Sequence, residues 1–73
     1  GLGVPKDEPG AVNWYRKAAE QGEANGQFNL GEMYMTGSGV AKNEAEAVKW
    51  FRRAAAQGHR DALDALRRLD IGQ

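Results

Sequence analysis

His59 is the only imidazole in the chain and there is no cysteine, so proton-transfer chemistry would have to be built around that one ring. A general base needs a nucleophile or an acid held within hydrogen-bond reach, and no residue at matching spacing supplies one. Ser38, the only serine, stands in a glycine-rich stretch with no Ser-His-acid constellation. His59 is therefore expected to be structural or solvated, just past a helix C-terminus where its cationic form is mildly favoured. Gly37-Ser38-Gly39 with Lys42 faintly resembles a phosphate-binding loop but lacks the preceding strand and the spacing, and reads as a helix connector. The acidic pairs Asp7-Glu8 and Glu44/Glu46 offer the oxygen ligands a cation would want. Both pairs open helices, where negative charge offsets the helix dipole, so capping is the simpler role. Trp14 and Trp50 could stack a ligand, but both occupy the same place in a repeated segment, which favours core packing for each. No catalytic residue, cofactor or metal is assigned.

The segments that would position these groups are related to one another. Sliding the sequence by 36 positions lays Trp14 on Trp50, Gly3-Val4 on Gly39-Val40, Arg16 on Arg52, Ala18-Ala19 on Ala54-Ala55 and Gln21-Gly22 on Gln57-Gly58. Two tryptophans, paired alanines and matched glycines in one register mark an internal repeat. Residues 30–58 hold a helix, a glycine-containing connector and a second helix.

Taken in order, Gly1 to Lys6 read as the end of a connector. Asp7 can cap a helix over 8–21, with Pro9 in its first turn, where the missing N–H costs little. Ala11, Trp14, Tyr15, Ala18 and Ala19 recur at three- and four-residue steps as its apolar stripe, and Gly22 ends it. A second helix over 24–35 buries Phe28, Leu30, Gly31 and Tyr34. Gly31 calls for a packing reason, and the small Ala47 is the natural residue to face it. Residues 36–39 form the connector, which Val40 pins to the core. Asn43 caps a third helix over 44–57, with Glu46 placed to reach back in a capping box. Its stripe is Ala47, Val48, Trp50, Phe51, Ala54 and Ala55, and Gly58 closes it. A fourth helix over 60–70 uses Ala62, Leu66 and Leu69. Arg67 and Asp70 stand where Gly31 and Tyr34 stood, giving the polar outer face of a stack-ending helix.

At 73 residues there is room for one small domain, which buries only about 60–65% of the surface its unfolded chain exposes. Without cysteine there is neither a disulfide nor a thiolate zinc site to staple it. Ten basic and ten acidic side chains cancel. Residues 1–36 hold three basic against five acidic, and residues 37–73 hold seven against five. That asymmetry is too mild for nucleic acid or an anionic membrane. No apolar run approaches the roughly 20 residues that span a bilayer, so no membrane insertion is expected. The N-terminus lacks the form of a signal peptide and begins within a motif without Met, as an excerpt or a processing boundary would.

Leu30-Gly31-Glu32-Met33-Tyr34, Gly37-Ser38-Gly39-Val40 and Trp50 through Gly58 together resemble the Sel1-like repeat, a relative of the tetratricopeptide repeat with a longer connector. Gly3-Val4 with Trp14 through Gly22 is similar to the latter part of another copy. The resemblance implies an all-α fold: a right-handed α-α superhelix of antiparallel helix pairs, about four helices in one domain. Residues 1–22 would be a partial repeat, 23–58 a complete one, and 59–73 the first helix of a further repeat or a C-terminal cap. It also implies a non-enzymatic scaffold that binds a peptide or protein segment on a concave surface lined by the first helix of each pair. The residues placed there are Asn25, Phe28, Asn29, Glu32, Asp61, Asp64 and Arg68, with amides suited to an extended peptide's main chain. One alternative is self-association, or packing against neighbouring repeats, around an open stripe near Trp14 and Tyr15. A remote one is the β-lactam binding or hydrolysis of cysteine-rich relatives, against which the absence of cysteine argues.

Overall fold

The computed structural model describes residues 8–69, and all the regular structure among them is helical. Four helices follow one another: α1 (Glu8–Glu20), α2 (Ala24–Thr36), α3 (Glu44–Ala56) and α4 (Arg60–Arg68). Each packs on the next as an antiparallel neighbour. None is long and apolar enough to cross a membrane. The expected Asp7 cap, the Gly1–Lys6 connector and Asp70 lie outside the described residues.

The repeat is visible at the level of individual hydrogen bonds. After α1, Gly22 takes φ +92°, its N–H donates to the Ala19 carbonyl at 3.0 Å, and the Glu23 N–H donates to Ala18 at 3.1 Å. After α3, Gly58 takes φ +84°, its N–H donates to Ala55 at 2.8 Å, and the His59 N–H donates to Ala54 at 3.2 Å. These are the same paired closing bonds displaced by 36 positions, and only a residue at ease with positive φ can form them without strain. Gly-ended α1 and α3 therefore turn back on themselves identically.

Asn43 caps α3 as expected, its Oδ1 accepting from the Glu46 N–H at 3.2 Å. The reciprocal half of the capping box does not form. The Asn43 N–H is already taken by the Tyr34 carbonyl at 2.9 Å, which ties the connector back to α2. The Glu46 carboxylate instead pairs with Lys49 at 3.1 Å.

Two apolar clusters make the core. Val12, Ala19, Leu30 and Trp50 form one, with Tyr15, Met33, Tyr34 and Val40 packed against it. Ala47, Phe51, Ala65 and Leu66 form the other, with Phe28, Met35, Val48 and Leu69 around it, and Tyr34 touches both. Val12 and Ala65 join these clusters although the stripes assigned from spacing omitted them. Gly31 faces Ala47 as expected, though through its backbone carbonyl, and the Phe51 ring stands closer still. A Cβ there would stand 2.7 Å from the Phe51 ring and 3.2 Å from the Ala47 carbonyl oxygen. The glycine makes room for a large ring rather than matching one small side chain with another.

Trp14 and Trp50 do not share a fate, which corrects the expectation of core packing for both. Trp50 is 6% exposed, whereas Trp14 is 52% exposed. Residues two apart on a helix point about 160–200° away from each other. Val12 and Ala19 therefore turn towards α3 while Trp14 turns to the opposite side of α1, where no described residue covers it.

Candidate protein-binding surface

The first residues of α2 and the cap of α4 meet at one end of the molecule. His59 is the N-cap of α4, and its Nδ1 accepts from the Ala62 N–H at 3.2 Å. That nitrogen must keep its lone pair, so the ring proton sits on Nε2, where the Asn25 Oδ1 accepts it at 2.8 Å. The structural role expected for His59 thus stands. Glu23, one repeat earlier, makes no side-chain cap at all. Replacing His59 by alanine is expected to destabilise the chain by about 1 kcal/mol, the usual value of an N-cap. His59→Asn should recover most of that loss. Urea unfolding of the two variants checks it, and equal destabilisation would mean that the ring packing, rather than the cap, is what matters.

The His59 ring also stacks on Phe28, with centroids 5.0 Å apart and planes 23° from parallel. Phe28 in turn lies 5.6 Å from Phe51 at a 39° tilt, so it is a half-buried ring held from both sides. Along the same side of α2, Asn29 and Glu32 are each partly exposed. On α4, Asp61, Asp64 and Arg68 are exposed, and Asp64 sits 3.8 Å from Arg67 in a solvated pair worth little. By the 36-residue register Asn25 matches Asp61, Phe28 matches Asp64 and Glu32 matches Arg68. Asn29 instead matches Ala65, which is buried, so the polar row of α2 is not fully copied in α4. Of the seven residues, Asn25 and Phe28 are engaged with His59, and the other five leave their polar groups towards solvent or a surface pair. No group of three or more His, Asp or Glu converges among the described residues.

Sequence spacing missed Gln27, which is 5% exposed. Its Nε2 donates to the Ala19 carbonyl at 3.2 Å and its Oε1 accepts from the Gln57 Nε2 at 3.0 Å, joining α1, α2 and α3. The available signal was its place three residues before Leu30, on the buried side of α2. Arg16 makes a comparable link, donating to the Tyr34 hydroxyl at 2.8 Å.

A concavity opens beside Trp14, away from α4. It encloses about 250 Å³ and is lined by Trp14, Lys17, Ala18, Gln21 and Glu23.

The Sel1 repeat model matches residues 1–23 and 24–59. A Sel1 repeat protein from Oxalobacter formigenes, known from its crystal structure, is 51% identical and superposes with a TM-score of 0.82. That match covers 100% of this chain and 31% of the other, so the chain spans under a third of that protein's length. No curated protein matches the chain.

Proposed function

The chain belongs to the Sel1 repeat family, whose members are generally protein-interaction modules, and from that premise we propose that it binds an extended peptide or protein segment across α2 and α4 without catalysing a reaction. The observation that supports this is the arrangement at Phe28. A half-buried ring, braced by Phe51 and by His59 at the cap of α4, shares its helix with the partly exposed Asn29 and Glu32, and α4 itself carries exposed carboxylates and a guanidinium. An apolar anchor flanked by amide and charged groups can take one side chain of a ligand while the amide exchanges hydrogen bonds with its main chain. The bracing keeps the ring from having to be ordered at the moment of binding, which spares part of the entropic penalty of association. The β-lactam reading has no support from the family match.

Asn25 is a poor probe of this surface, because its side chain holds His59. Asn29, Glu32 and Arg68 are better ones. Peptides selected from a random display library against the chain should lose at least tenfold in affinity when Asn29, Glu32 and Arg68 are all replaced by alanine, about 1.4 kcal/mol or more. They should be indifferent to Glu20→Ala on the exposed side of α1. Selected peptides that bind the triple variant as well as the wild type would place recognition elsewhere.

A further inference from the structure

We infer that His59 is a proton-operated latch: uptake of a proton by its ring uncaps α4, and the peptide-binding surface across α2 and α4 loosens in mild acid. The second half of this inference rests on the surface proposed for those two helices, and the first half does not. His59 is the only histidine of the chain, and imidazole is the side chain that ordinarily changes charge between pH 5 and 8. One repeat earlier its place is taken by Glu23, whose side chain makes no cap, so of these two junctions only the one into α4 carries this chemistry.

The two ring nitrogens respond to a proton in opposite ways. Nε2 donates to the Asn25 Oδ1 at 2.8 Å, and that bond strengthens when the ring becomes a cation. The Phe28 ring, 5.0 Å away and 23° from parallel, also attracts a cation over its face. Nδ1 accepts from the Ala62 N–H at 3.2 Å, and the incoming proton takes the lone pair that this bond uses. Two donors then point at each other. Because Asn25 and Phe28 hold the imidazolium on α2, the Ala62 amide is the partner that must leave. Ala62 is fully buried, so its amide finds water only when the first turn of α4 opens. Opening that turn frees Asp61 and Asp64 from a fixed position relative to Phe28, and a ligand must then order them on binding.

The charged groups on the elements around the ring are Glu23 and Glu32 at α2, Arg52 and Arg53 on α3, and Arg60, Asp61 and Asp64 in the first turns of α4. None of the described carboxylates is ion-paired with the ring. Carboxylates and guanidiniums act in opposite senses on the pH at which the proton is taken up, but none of them changes which bond it breaks.

Hydrogen exchange of the Ala62 amide, normalised to its intrinsic rate, tests the latch at pH 7.5 and 5.5, on either side of the ordinary imidazole titration. Protection is expected to fall about fivefold between the two, the ratio to which the loss of an N-cap corresponds. His59→Asn, which can cap but takes up no proton, should be equally protected at both. Histidine-free peptides selected at pH 7.5, and dependent on Asn29, Glu32 and Arg68, should bind the wild type several-fold more weakly at pH 5.5 and bind His59→Asn equally at both. Protection that does not change in the wild type, or that falls as much in His59→Asn, would overturn the latch whether or not peptides bind α2 and α4. Protection that falls as expected while those peptides bind equally at both pH values would overturn its link to binding. If no selected peptide depends on Asn29, Glu32 and Arg68, the proposed surface fails and takes that link with it, while the exchange result still decides the latch.

Discussion

Phe51→Ala is expected to destabilise the chain by about 3–5 kcal/mol, the range for emptying a buried aromatic site. A domain of this length has in total only about 4–11 kcal/mol to lose. The ring is 1% exposed and stands where α2, α3 and α4 converge, against Ala47, Ala65 and Leu66. Gly31 presents it with bare backbone, so on that side there is no side chain to swing in and fill the space. Phe28 would lose the ring that backs it, and with it the brace for its stack on His59. The far-UV helical signal should melt at much lower urea concentration, with a substantial unfolded fraction already present in buffer. A loss below about 1 kcal/mol would mean that the helices close over the site and that Gly31 is not shaped for this ring.

Gly26→Ala is the second large effect, and two principles disagree about its sign. Intrinsic propensity alone favours alanine in a helix interior by about 1 kcal/mol. The structure argues the reverse. A Cβ at Gly26 would stand 2.7 Å from the Ala18 Cβ and 2.9 Å from the Ala19 backbone nitrogen. Neither is the far end of a flexible side chain, so relief requires α1 and α2 to move apart. That movement would stretch the Gln27 bond to the Ala19 carbonyl. Overpacking of this kind costs about 1–3 kcal/mol, enough to overcome the gain in propensity. Gly26→Ala should therefore lower the urea midpoint. A raised midpoint would show that the contact between α1 and α2 is looser than described.

The helices themselves were legible because each is specified by neighbours in the chain. Glycine past the end of α1 and α3, asparagine before α3, and apolar residues at three- and four-residue steps are local signals, and the observed bounds fall within two residues of those expected from spacing. The repeat was legible for the same reason: its copies share residues at one fixed offset. The candidate site was less so. Asn25 looked like a surface amide, and only the arrival of His59 from 34 positions away gave it an internal partner. Gln27 lies on the readable buried side of α2, but the partners that satisfy its amide depend on Ala19 and Gln57 coming to meet it.

What the sequence determined by itself is the sequence of helices, their stops and their kinship, since hydrogen bonding within a turn and side-chain periodicity act over a few residues. What tertiary structure alone decided is which of two equal tryptophans is covered, which of two glycines admits a ring and which a backbone, and which partner meets the Nε2 of His59. Each of those depends on atoms that chain distance separates and packing brings together. A residue's type fixes what it can bury or bond, and only its neighbours in space fix whether it does.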